Sequence, residues 1–91
     1  MPQNVINREL TAQLIRATGS VGSNYREAND SLSKKDFSHR IKITRKEAKE
    51  SYYWIELLKE ANPEDKVEVS KLLLEALELK KIFSSIADKC S

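Results

Sequence analysis

Proton-transfer chemistry in this chain would have to start from His39, its only histidine, because imidazole is the one side chain that ordinarily titrates near neutral pH. Asp36 precedes it by three residues, so the two are neighbours on a helical face and a His–carboxylate pair is geometrically allowed. No serine or cysteine is placed by the sequence to act with them as a nucleophile, and the expected state of His39 is solvent-exposed or salt-bridged. Glu47 and Glu50 repeat the i, i+3 spacing of carboxylate metal bundles. Those sites complete themselves with histidines on other helices, and this chain has none to supply. Both glutamates are expected to pair with Lys46, Lys49 or Arg26, or to sit at a subunit contact. Cys90, the only cysteine, excludes an internal disulfide and a cysteine metal cluster; a disulfide between chains would need an oxidising compartment. Gly19-Ser20-Val21-Gly22-Ser23 has the small residues of a phosphate-cradling loop, yet no Gly-Lys-Ser/Thr ending follows and no strand pattern precedes it. The residues therefore predict no enzyme, no cofactor and no metal.

Charge offers more. Lys35, Lys42, Lys46 and Lys49 fall within ~60° of one another at ~100° per residue, with Lys34 and Arg45 at the flank. From Lys35 to Lys49 this ridge is about 21 Å long, enough to meet several phosphates at once. Lysine rather than arginine supplies most of it, and the only nearby aromatic is Tyr53 at its end, so contact with a nucleic-acid backbone is expected without sequence-specific base reading. The competing interpretation is a solvated face opposite a core. Residues 1–49 carry ten Lys/Arg against five Asp/Glu, whereas residues 50–91 carry six against nine. The two parts thus have opposite sign, as helices that offset each other's charge in a bundle also would.

The elements that must hold these groups are helices. Two glycines, two prolines and 33% charged residues, with Leu, Ala, Glu and Lys dominant, describe an all-α chain. Ninety-one residues make one domain with a marginal core of its own. No apolar run reaches the ~18 residues of a membrane span, and Met1 to Leu10 lacks the apolar segment of a signal peptide; the expectation is a cytoplasmic protein with no membrane contact. Apolar spacing and capping residues predict three helices, over about 5–30, 34–60 and 63–88, in a single domain spanning 1–91. Ser33 and Asp36 have capping-box spacing, and Asn62-Pro63-Glu64-Asp65 supplies an N-cap, a proline at the first position and two acids in the first turn. Short connections make neighbouring helices antiparallel.

Three helices leave apolar groups over. On the middle helix Phe37, Ile41, Thr44, Ala48, Tyr52, Ile55 and Leu58 form the core face, and Ile43, Trp54 and Leu57 lie beside it. Leu74 and Leu77 lie off the stripe of the last helix. The first helix carries Gly19 and Gly22 on a second face with Ala12, Ile15 and Ser23. Each mid-helix glycine costs about 0.8–1.0 kcal/mol relative to alanine, which predicts a close helix crossing there. Gly19, Gly22, Ile43, Trp54 and Leu57 are accordingly the candidate oligomer interface.

Gln13-Leu14-Ile15-Arg16, Ser20 through Ala28, Asp36-Phe37, Lys46-Glu47-Ala48, Tyr53 through Leu58 and Glu75-Ala76-Leu77-Glu78-Leu79 together resemble the bacterial four helix bundle proteins encoded in intervening sequences of 23S ribosomal RNA genes. The match runs from about Pro2 to Ile86. The resemblance implies a four-helix bundle, a ring-like homopentamer and a role in binding nucleic acid; the chain is also similar to the accessory protein of diversity-generating retroelements, which works with a reverse transcriptase and its RNA. Met1-Pro2-Gln3-Asn4 resembles the turn that follows the family's first helix, so the resemblance implies an up-and-down antiparallel bundle with three of four helices present. The functional expectation is a non-enzymatic oligomeric scaffold with weak, sequence-independent affinity for RNA or DNA through Lys35, Lys42, Arg45, Lys46 and Lys49. Its alternative is a protein–protein adaptor, whose acidic last helix and Trp54 surface receive a partner such as a polymerase.

Overall fold

Asn4 stands in extended backbone, and its side-chain oxygen accepts a 2.8 Å hydrogen bond from the Asn7 N–H. That satisfies one of the donors a helix leaves unpaired at its start and opens α1, Val5–Asn29. Ser33 repeats the device. Its hydroxyl oxygen accepts from the Asp36 N–H at 3.1 Å and starts α2, Lys34–Ala61. The computed structural model describes residues 3–90, so the Met1-Pro2 part of the turn noted above lies outside the described residues.

The third boundary departs from expectation. Pro63–Asp65 forms a single 3-10 turn and α3 begins after it, at Lys66–Lys89. Asn62 makes no side-chain cap to this turn, because its amide is used elsewhere. Asn62 Nδ2 donates to Asn7 Oδ1 and to the Leu58 carbonyl, both at 2.8 Å, while Asn7 Nδ2 donates back to Asn62 Oδ1 at 2.8 Å. Both asparagines are buried. The reciprocal pair ties the start of α1 to the α2–α3 turn.

Cross-helix contacts give the topology. Asn7 with Asn62, Arg16 with Glu47 and Asn24 with Arg40 run α1 and α2 antiparallel; Lys80 with Tyr52 and Asp88 with Arg45 do the same for α3 and α2. Both outer helices pack on α2, and among the described residues no Cα of α1 comes within 8 Å of one of α3. They meet only through side chains, as where the Tyr25 and Phe83 rings stand edge to face at 5.5 Å. Ile55, Leu58, Val69 and Ala76 make one core cluster, with Leu10, Leu14, Tyr52 and Leu73 packed against it. Ala28, Ile41 and Ala87 make a second.

This core is open on one side. Between α1 and α3 runs an apolar groove of about 260 Å³, with Leu14, Val21, Leu72 and Leu79 on its walls and Ala48 and Ile55 on its floor. Leu72 and Leu79, which continue the apolar spacing of α3, remain 50% and 47% exposed. The Cα radius of gyration is 14.6 Å, against about 12 Å for a compact chain of this length. Total accessible surface is 6261 Å², where about 5,400 Å² is usual for this mass.

Candidate nucleic-acid interface

With the buried face of α2 turned to α1 and α3, the opposite side must face water. Stepping by four and three residues it reads Lys35, His39, Lys42, Lys46, Lys49, Tyr53, Glu56 and Glu60, and every one is exposed. The charge is basic over the first half of the helix and acidic over the last two turns. Among the described residues, Lys35, Lys42, Lys46 and Lys49 have no ion-pair partner. Arg45 differs: it is half-buried, and its Nη1 lies 3.5 Å from Asp88 Oδ1 on α3. Tyr53 is exposed at the end of the stripe, its ring 5.1 Å from that of Trp54 in an edge-on contact.

The two glutamates found by their spacing pair with neither lysine nor Arg26. Arg16 of α1 takes both, through Nη2 to Glu50 at 2.6 Å and Nη1 to Glu47 at 3.2 Å. The expectation failed because Lys46 and Lys49 point outward from the same helix, whereas Arg16 lies directly across the α1–α2 interface. Its Nε also donates to Gln13 at 3.2 Å, which holds the guanidinium in place. The Glu50 hydrogen bond is the largest influence and raises the Arg16 pKa; desolvation opposes it, and the Glu47 hydrogen bond adds a lesser rise. The site is a cross-brace, in which one guanidinium bridges two carboxylates of the facing helix.

His39 is exposed. It shares a shallow depression at the α1–α2 turn with Glu27, Asp30 and Asp36, but among the described residues no three His, Cys, Asp or Glu groups are placed to hold a metal. Gly19 and Gly22 lie within α1, and a Cβ added at either would meet nothing within 4 Å. Within one chain the predicted close crossing is therefore not made at these glycines; their face is open. Ile43, Trp54 and Leu57 are half-buried on the α1 edge of α2, the same side as Glu50. The Trp54 Nε1 is buried without a hydrogen-bond partner. Leu74 is 65% exposed.

Sequence reasoning missed α3 altogether as part of a basic surface. Lys80, Lys81 and Lys89 line a depression with Ser84 and Ser85 on the flank next to Arg45. Their spacing was visible, but the acidic balance of residues 50–91 averaged it away.

Comparison with known proteins agrees with this architecture. Residues 2–85 match the family model of the 23S rRNA-intervening sequence proteins. The chain belongs to that family. It is also similar to a crystal structure of a protein of unknown function from the S23 ribosomal protein family of Bacteroides thetaiotaomicron, at 30% identity and a TM-score of 0.78. The alignment covers 93% of this chain and 75% of that one. No curated protein matches. No described helix is long and apolar enough to cross a membrane.

Proposed function

We propose that this protein is a self-associating, non-enzymatic helical scaffold that holds nucleic acid by its backbone, through Lys35, Lys42, Lys46 and Lys49. The observation carrying this reading is that four unpaired lysines occupy one exposed line of about 21 Å on the outer side of α2. Lysines so placed offer point charges to phosphates with no fixed fork for reading base edges, which supports binding without sequence preference. Self-association would multiply the charge by repeating the ridge.

Binding should therefore fall steeply with salt, with a log–log slope of about 0.7 per phosphate contacted on single strands and about 0.9 on duplex DNA. Changing Lys42 and Lys46 together to Glu should weaken binding to every sequence and flatten that slope, with helicity and sedimentation unchanged because neither side chain touches the core. Equal binding by wild type and variant would show the ridge to be a solvated face.

The groove favours a second reading, that of an adaptor. Its apolar walls, with Glu75 at the rim, suit an amphipathic helix presented by a partner such as a polymerase-type protein. Retention of that partner after Lys42 and Lys46 are reversed, with loss after Leu72→Asp, would favour this reading over the first.

A further inference from the structure

The ridge on α2 has a neighbour. At ~100° per residue Lys81, Ser84, Ser85 and Asp88 fall on one side of α3, and together with Lys80 and Lys89 they line a shallow depression of about 520 Å³. Two contacts fix which way that side faces. Asp88 reaches Arg45 of α2 at 3.5 Å, and the Lys80 Nζ lies 4.4 Å over the Tyr52 ring. Arg45 adjoins Lys42, Lys46 and Lys49 on α2, so depression and ridge share one surface. Axes of packed helices lie 8–10 Å apart, which sets the two rows of lysines side by side as the banks of a shallow valley.

Asp88 is the one acid among residues 80–89. It sits in the last turn of α3, where the helix dipole disfavours a carboxylate. Solvation alone does not call for it there, yet it stands between the banks, against Arg45. On this geometry we infer that α2 and α3 together form a two-bank valley for a phosphodiester backbone, in which the Asp88 carboxylate occupies a phosphate position and serves as Arg45's internal counter-ion until the nucleic acid replaces it. This rests on the reading of the α2 ridge given above. It adds Lys81, Lys89, Ser84 and Ser85 as ligand contacts and makes Arg45 a cation that Asp88 releases on binding.

The test uses the intact protein with an oligothymidylate as probe, followed by fluorescence anisotropy over a salt series. Lys81→Glu with Lys89→Glu, both at exposed positions, should lower the log–log slope by about 1.4, the value for two phosphates on a single strand. Asp88→Asn should tighten binding and raise the slope by about 0.7, since no Asp88 carboxylate is then left to take up a cation when Arg45 turns to its phosphate. If Lys42→Glu with Lys46→Glu abolishes binding while the α3 pair and Asp88→Asn both match wild type, the ridge stands and the valley is overturned. If only the α3 pair weakens binding, α2 supplies no bank, and the ridge reading is overturned together with the valley. An Asp88→Asn protein that binds more weakly than wild type removes the counter-ion role. Should none of the lysine changes matter, the ridge reading itself is what fails.

Discussion

Asn62 uses every hydrogen-bonding group of its amide inside the protein: both N–H donors go to Asn7 Oδ1 and the Leu58 carbonyl, and its oxygen accepts from Asn7. Removing one member leaves the other buried and unmatched, at a cost of about 1–3 kcal/mol. Asn62→Ala and Asn7→Ala should each lower the urea midpoint, and the double variant should lose clearly less than their sum, since a shared contact is counted twice. Additive losses would mean that the two side chains act independently. Asn62→Asp should be worse than Asn62→Ala, because a carboxylate there would face two carbonyl-type oxygens without a donor. The sequence offers good reason to take Asn62 for an N-cap, with proline following at the expected place. Nothing local reveals that a residue 55 positions earlier competes for its side chain. Such pairings depend on tertiary register, which local spacing does not encode. The ion-pair partner of Glu47 and Glu50 was hidden for the same reason: periodicity places two residues on one face but is silent about what arrives from the facing helix.

At the scale of elements, the helices themselves were legible. Ser33, Asn4 and the Pro63 turn set boundaries that the folded chain keeps to within one residue, apart from the start of α3, where Pro63–Asp65 tightens into a 3-10 turn. The core face of α2 was equally plain, since Ile41, Thr44, Ala48, Ile55 and Leu58 are all buried. For α3 periodicity held in part, with Val69, Ala76 and Phe83 buried. Leu72 and Leu79 continue its apolar spacing yet are half-exposed, because an apolar stripe reports that a face is to be covered and not what covers it. The glycines of α1 pose the same question in reverse. With open space around each Cβ position, Gly19→Ala and Gly22→Ala should each stabilise the helix by about 0.8–1.0 kcal/mol. Gly22→Leu should also be tolerated by a single chain. If this face meets another subunit closely, however, Gly22→Leu should reduce the assembled fraction in sedimentation while leaving the melting of the dissociated chain unchanged. Identical sedimentation for the Ala and Leu variants would leave the glycines outside any interface.

The whole molecule has more surface than its mass requires. The excess over the usual value is about 900 Å², close to the ~800 Å² that each partner contributes to a standard interface. Elongation supplies part of that excess, as the 46 × 20 × 14 Å extents indicate. Two incompletely covered apolar places lie on opposite sides of the α1–α2 pair: the groove beside Leu72 and Leu79, and the strip of Ile43, Trp54 and Leu57. The strip is the better candidate for contact between copies. Trp54 is a large side chain already half-covered, with Tyr53 against its ring, and aromatic anchors of this kind dominate interface energetics. At tens of micromolar the wild type should sediment as an oligomer, and Trp54→Glu should shift it to smaller species, because an unpaired charge buried in a contact costs several kcal/mol. Leu72→Asp acts on the other side and separates the two surfaces. Loss of assembly with Trp54→Glu but not with Leu72→Asp assigns the strip to self-association and leaves the groove for a helix from elsewhere. The reverse result transfers self-association to the groove, and a wild type that stays monomeric at these concentrations removes the scaffold's self-association altogether.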